Sequence, residues 1–432
     1  MTTINSNPTP VGRKFKVLVV PSDKTGVGYF RSTKPHIRLQ EMYPEDFHID
    51  IDYQPDLKSD DFLKQYDLIH YHRTIGPYEE VRNLLERTDK LGIVTIMDLD
   101  DYWEPGAHHP SHSLIKSKGI DKLILDNIKS ARNVTTTTEL FANEISKVNK
   151  NVFVIENGID PREKQYQSNP EPSERIRIGW LGGSSHLHDL SLLNGLTSKL
   201  KSDGLIDKIQ FVLCGFDTRG TVTMIDQRTG EQKQRPIKPE ESVWCRYEQI
   251  FTDNYKTISP KYKEFLMRFT NTEEFDTSNE PYRRVWTKPI SSYASNYNLF
   301  DISLAPIEEN IFNKVKSQLK VVEAGFHKKA LIAQNFGPYK IDVENAWSTG
   351  EGIGNGNGLL VDSVKNHKDW YKFIKKLIQN PEKIKDLGES LYETVTKRYH
   401  IDVLTEKRKE LYIKLITEKN KNNIVEELEK VS

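Results

Sequence analysis

The chain has 432 residues, 62 of them Lys or Arg and 62 Asp or Glu, so its formal net charge is zero. That length exceeds one ordinary hydrophobic core and implies two domains, while the balanced charge excludes a global attraction to nucleic acid or anionic lipid and leaves only local basic patches. Cys214 and Cys245 are the only cysteines, which argues against a disulfide framework and fits a reducing compartment.

The opening stretch MTTINSNPTPVGRK is polar and lacks the apolar segment of a secretory leader. No later run approaches the roughly 18 apolar residues of a membrane helix, so a cytoplasmic protein without a transmembrane segment is expected. Apolar runs at Phe15 to Val20, Leu68 to Tyr71, Ile93 to Met97 and Val152 to Ile155 alternate with helical stretches such as Tyr78 to Arg87 and Glu139 to Val148. This alternation predicts an α/β domain with a parallel sheet and helical crossovers. Pro161 to Ser173 reads as a linker, and strands at Ile176 to Trp180 and Ile209 to Cys214 begin a second sheet. Residues 216–298 read as an enlarged insertion: TRGTVTMIDQRTGEQKQRP as a hairpin turning at RTGE, then a helical, aromatic-rich Tyr247 to Phe269. Its role as lid, oligomer contact or decoration is open. The charged end KNKNNIVEELEKVS is expected to fray.

The segment DISLAPIEENIFNKVKSQLKVVEAGFHKKALIAQNFGPY, Asp301 to Tyr339, carries the densest chemistry. Ile302 to Ala305 reads as a buried strand stopping at Pro306. A helix from Lys316 would put Lys316, Lys320 and Glu323 at i, i+4 and i+7 on one face, with Leu319, Val322 and Phe326 on the buried one. Cations and backbone N–H groups suit a diphosphate, and a carboxylate a turn or two later suits a ribose diol. A solvated helix face is the bland alternative.

Other clusters are weighed in the same way. Gly182, Gly183 and Ser184 follow a strand and would let backbone N–H groups approach a diphosphate; an ordinary tight turn is the alternative. Asp98, Asp100 and Asp101 end a first-domain strand, as sugar-binding acids or as a helix cap. His108, His109 and His112 follow; HxxxH zinc ligation lacks an evident third ligand. His70 and His72 read as structural. In GVGYFRS, Gly26 and Gly28 would let a loop approach a ligand and Arg31 would reach a diphosphate or acceptor. Tyr29, Tyr102 and Trp103 offer faces for sugar stacking or for packing.

FNKVKSQLKVVEAG resembles the FN-x-x-KS-x-LK-x-x-E pattern of retaining GT-B glycosyltransferases, family four in particular. ENGID at Glu156 to Asp160 is similar to the loop ending that family's first domain, and IGWLGGSSHLHDL at Ile178 to Leu190 to the strand, turn and helix that cradle the diphosphate. FKVLVVPSDKTGVGYFRS, GLLVD at Gly358 to Asp362, and the spaced NPEK and KRYH extend the likeness over nearly the whole chain.

The resemblance implies two Rossmann-like domains facing a cleft: an acceptor-side domain at 1–160, a linker at 161–174, a nucleotide-sugar domain at 175–398 bearing the insertion, and a final helix at 399–432 packing back on the first domain. It implies a UDP- or GDP-linked sugar as donor, no cofactor and no metal, and a glycan or other hydroxyl acceptor. Donor contacts would come from Gly182, Gly183, Ser184, His188, Asn313, Lys316, Ser317, Lys320 and Glu323. His109, Asp98 and Asp101 would serve the transferred sugar, and Gly26, Gly28 and Arg31 the acceptor or diphosphate. Many family members carry an Arg and a Lys beyond the glycine turn, where this chain has Ser184, His186 and His188. The cationic role then falls to Lys316, with Lys320 in support. An epimerase or a nucleic-acid base glycosyltransferase of the same fold, and a non-catalytic scaffold, stay open. The oligomeric state is open too.

Overall fold

The computed structural model describes residues 13–225, 232–255, 257–270 and 272–431. The chain divides into two compact units: one comprises the chain up to Asp160 with Lys314–Ser317 and the stretch from Arg398 on, the other Pro161–Asn313 and Gln318–Lys397. Among the described residues no helix is long and apolar enough to cross a membrane.

The first unit holds six parallel strands, β1 (Phe15–Val20), β2 (Phe47–Ile51), β3 (Leu68–His72), β4 (Val94–Leu99), β5 (Asn133–Thr136) and β6 (Val152–Val154), in the order β2-β1-β3-β4-β5-β6. Side chains alternate across a strand, so a sheet covered on both faces needs apolar residues in unbroken runs. Val17, Leu18 and Val19 are all fully buried for that reason. Leu18, Ile69 and Met97 face one core with Val81, Leu85 and Phe141, while Val17, Leu68 and Ile96 face another with Leu39, Leu411, Tyr412 and Ile416. Each such side chain contributes about 1.5–3 kcal/mol by its burial. The long last helix, Ile401–Val431, thus covers the strand that begins the chain's first sheet. β2 and β5 carry no apolar run and escaped the sequence pattern.

The second unit adds β7 (Ile176–Leu181), β8 (Ile209–Phe216), β9 (Thr221–Ile225), β10 (Gln232–Pro236), β11 (Tyr282–Trp286), β12 (Ile302–Ala305), β13 (Ala330–Gln334), β14 (Trp347–Ser348), β15 (Gly352–Ile353) and β16 (Leu359–Val361). Its main sheet is parallel, in the order β11-β8-β7-β12-β13-β16. Strand order reverses between β7 and β12, which opens a crevice at their carboxyl ends, the position where ligands bind in sheets of this kind.

The region read as an insertion does two jobs. β9 and β10 form an antiparallel hairpin, whose expected RTGE turn lies outside the described residues, and β11 is the edge strand of the main sheet. The helix expected over Tyr247 to Phe269 is two helices, Val243–Thr252 and Pro260–Met267. Asp253, Asn254 and Tyr255 break it with φ of 47°, 57° and 69°, and Ser259 caps the second helix by accepting from the Tyr262 N–H at 3.2 Å. Arg284 on β11 donates to both oxygens of Glu248, at 2.6 and 2.7 Å, and locks the first of these helices to the sheet.

A further expectation fails. The helix expected from Lys316 begins at Leu319, because Val315 is fully buried in the first unit's core beside Val81 and Leu85 and holds residues 314–317 out of the helix. Lys316 and Ser317 therefore share no helix face with Lys320 and Glu323.

Candidate functional site

In the second unit the chain leaves β7 through Gly182 and Gly183. A Cβ at Gly182 would lie 2.5 Å from the Trp180 ring, whereas Gly183 has open space around it. Only glycine fits the first position, and the second leaves its backbone accessible. Lys320, from the helix Leu319–Phe326, donates to the Leu181 carbonyl, and its ammonium lies 5.1 Å from the Trp180 ring centroid. The cation is thus held against the turn.

Two residues that no sequence argument singled out organise this turn. Tyr247, from the insertion, accepts from the His186 N–H at 2.8 Å and donates to the Gly183 carbonyl at 3.2 Å. Asp189, buried, bonds His186 Nδ1 at 2.6 Å with one oxygen. Its other oxygen accepts from the Glu308 N–H at 2.7 Å and the Asn313 amide at 3.2 Å. The loop after β7 and the loop after β12 are therefore tied through one carboxylate. Asn313 is spent on this tie and on the Glu308 carbonyl at 2.9 Å, so it shapes the crevice rather than presenting its amide to a donor. His188 is exposed, with a ring nitrogen within 4.8 Å of a Glu308 carboxylate oxygen, and it also lines a groove with Ser191, Arg246 and Gln249.

Glu323 is only 3% exposed. Burial pushes its carboxyl well above the usual range. Tyr293 donates to one of its oxygens and Tyr297 to the other, the latter at 3.3 Å. Nothing in the sequence pattern hinted at this phenol pair, since both tyrosines lie at the end of the stretch read as an insertion.

In the first unit, three of the expected ligand-facing groups prove internal. Arg31 is 1% exposed and sets its guanidinium on both oxygens of Asp98, at 2.9 and 2.7 Å. It also donates to the Ile155 carbonyl at 2.7 Å and Asn157 at 3.0 Å. Asp98 takes a further bond from Thr135 at 2.6 Å; Arg31 and the hydrogen bonds overcome burial and hold its carboxyl well below the ordinary range. Neither side chain is free to reach a diphosphate or a sugar; they fasten the β1 loop to β4 and β5. Gly28 is required because a Cβ there would fall 1.9 Å from the Asp23 carbonyl oxygen, in a loop where Asp23 accepts from the Thr25 N–H at 2.7 Å. Its smallness lets the start of the helical segment Gly28–Thr33 pack against Asp23. Gly26 stands in the helical turn that runs directly into Gly28–Thr33.

The other expected residues converge. Asp101 is 37% exposed, and burial and Asp100 raise its carboxyl while Lys316 acts in the opposite sense. His109 is lowered by burial and then by Lys316. The Lys316 ammonium, placed in this unit by Val315, therefore acts on both His109 and Asp101. Beside them His72 bonds Asp100 at 2.8 Å, and Arg73, at a left-handed φ of 62°, reaches Asp100 at 3.7 Å. His70 is buried at 3.8 Å from Asp98. Its ring lies 4.5 Å from that of His36, which bonds the Tyr412 hydroxyl at 2.7 Å. Both histidines are structural in this packing. Tyr102 and Trp103 stack on each other at 4.0 Å and on Phe141, so they pack against the core.

No protein-family model matches the chain, and no curated protein does. Solved structures match its fold. HepE of Anabaena, in complex with UDP and glucose, is 12% identical with a TM-score of 0.53, over 92% of this chain and 99% of that one. The same protein with UDP-glucose gives 13% and 0.51, over 92% and 98%. The α,α-trehalose 6-phosphate synthase of Burkholderia multivorans gives 9% and 0.50, over 83% and 72%. The chain has the α/β fold of these GT-B proteins, two parallel six-stranded sheets with flanking helices.

Proposed function

We propose that the protein is a glycosyltransferase that takes a sugar from a nucleoside diphosphate and passes it, with retention of configuration, to a hydroxyl acceptor. The observation that carries this is the build of the crevice between β7 and β12, where the Gly182–Gly183 turn and the Lys320 ammonium meet at the carboxyl edge of the sheet, with Glu323 one turn further along the Lys320 helix. Backbone N–H groups of the turn, with Ser184, would take the diphosphate, and Glu323 the ribose. UDP is the first donor to try, since HepE is described with UDP and glucose.

Within the first unit Lys316 acts on both His109 and Asp101, and a cation beside an imidazole and a carboxyl is suited to orienting a sugar or a hydroxyl acceptor. In this scheme the departing diphosphate oxygen accepts the acceptor's proton, and the residues bind, orient and exclude water.

A nucleotide-binding protein without transferase activity is the second reading, favoured by the absence of Arg and Lys directly after the glycine turn. Titration calorimetry with UDP, GDP and ADP, on the wild type and on Lys320→Ala, tests the donor site: binding of one nucleotide, weakened in the variant, is expected. Release of free sugar or glycosylated product from the matching nucleotide sugar separates an enzyme from a binder. No binding by any of the three nucleotides overturns the donor-site assignment.

A further inference from the structure

We propose that the groove between the helix Val243–Thr252 of the insertion and the stretch Leu187–Ser198 is a second carbohydrate site, where Arg246 holds the acid group of an anionic glycan. The proposal takes its ligand class from the glycosyl-transfer reading above and places that ligand outside the donor crevice.

The groove is pinned at both ends. At one end Tyr247 bridges the Gly183 carbonyl and the His186 N–H. At the other, Thr197 donates to the Phe251 carbonyl at 3.0 Å and Ser198 donates to Asp253. Between these ties the walls stand apart around a space of about 570 Å³, within the roughly 300–1,000 Å³ of small-ligand sites. Both walls belong to the second unit, and the ties fix their spacing, so the space is formed before a ligand arrives.

The lining sets the ligand's chemistry. Arg246, Gln249 and Ile250 fall at i, i+3 and i+4 and share one face of their helix, and Ser191 and Asn194 line the wall across from them. Amides and hydroxyls both donate and accept, as the hydroxyls of a sugar require, while Ile250 offers apolar surface to its C–H face. Arg246 is exposed, and among the described residues its guanidinium has neither an ion pair nor a hydrogen bond. Its planar fork of N–H donors suits a carboxylate, sulfate or phosphate. The one acid in the lining, Asp253, bonds Ser198 and stands seven residues on, about 10 Å along the helix direction. Asp253, Asn254 and Tyr255 take three left-handed φ values in succession, a costly backbone that brings Asp253 and Asn254 into the lining; strain of this kind gathers at ligand clamps.

The test is an array of immobilised oligosaccharides, neutral, uronate-bearing, sulfated and phosphorylated, probed with the full chain as wild type, Arg246→Ala and Gln249→Ala. UDP, GDP and ADP are titrated into each protein separately. The wild type is expected to bind acidic chains over neutral ones of the same length, less strongly as salt is raised. Arg246→Ala should weaken binding of the best acidic chain by about 10-fold or more, the worth of a hydrogen bond to a charged group, and Gln249→Ala by about 3-fold. Both side chains are exposed, so unfolding midpoints and nucleotide affinity should stay at wild-type values. Binding to no glycan, equal binding to neutral and acidic chains, or acidic binding unaltered by Arg246→Ala overturns the groove as a carbohydrate site. Weakened nucleotide binding in Arg246→Ala at an unchanged midpoint overturns it as well, because the groove would then belong to the donor crevice. The nucleotide titrations on the wild type judge the donor site and the array judges the groove, so the two readings fail separately.

Discussion

A side chain at position 182 would collide with the buried Trp180 ring, while position 183 faces open space. These neighbouring glycines therefore make separable predictions. Gly182→Ala is expected to cost roughly 1–3 kcal/mol of stability, as overpacked sites do, measurable by denaturant unfolding. Gly183→Ala should leave unfolding unchanged and lower nucleotide affinity, because only a ligand approaching that backbone would meet the added methyl. Equal affinity for UDP in Gly183→Ala and wild type would remove this turn from the donor site. At Asp98 the expectation is purely structural. Asp98→Asn strands the buried Arg31 guanidinium and should destabilise by roughly 3–5 kcal/mol, seen as a lowered unfolding midpoint. At both places the residue types were legible in the sequence and their partners were not. Gly-Gly after a strand reads equally as a ligand turn or a tight corner, and an acid at a strand end does not disclose that an arginine 67 positions earlier in the chain lies against it.

Among elements, strands with continuous apolar runs were legible, because burial on both faces leaves that mark, and β1, β3 and β8 match it. The helix carrying Glu323 was legible in existence and misplaced at its start. Its i, i+4, i+7 charges looked like one face only because nothing local announces that Val315 is claimed by another core. The insertion was visible by length alone, and its contribution to the glycine turn was not, since Tyr247 meets Gly183 and His186 from more than sixty residues away. Tyr247→Phe removes that bridge while keeping the ring packed against Trp180 and Trp244. We expect a loss of about 1 kcal/mol in stability and a weaker nucleotide complex than wild type in calorimetry. Unaltered affinity would make the insertion a scaffold for the sheet and no part of the donor site.

For the whole molecule, the two units carry buried titratable groups whose effects on stability run in opposite directions with pH. In the first, burial lowers His70 to about 4 and takes His36 well below the ordinary histidine value, with help from His70 and Arg408. Both are neutral when folded and take up a proton when unfolded, so their contribution is intact above the unfolded value near 6.5 and is lost as pH falls from there toward 4. In the second unit Glu323 is raised by burial. Its folded form favours the protonated carboxyl, so its contribution is present below the unfolded value near 4.5 and is lost as pH rises. Glu323→Gln should therefore stabilise more at pH 7 than at pH 4.5, and His70→Gln should flatten the acid-side loss between pH 6.5 and 4. Thermal unfolding of both variants across that range checks the signs; parallel curves for wild type and variants would show that these groups do not govern the pH response.

The first sheet and the last helix are one piece of structure. Phe15, Val17 and Val19 lie in the same apolar cluster as Leu411, Tyr412 and Ile416, and Arg38 holds Asp402 with bonds of 2.7 and 3.1 Å. During synthesis the residues of β1 thus emerge nearly four hundred positions before the helix that roofs them, whereas the second unit has all of its strands and helices in hand by Lys397. The order of completion on the ribosome is consequently the reverse of the order of translation, and the nascent first sheet waits with one apolar face uncovered until the residues up to Ile416 leave the exit tunnel.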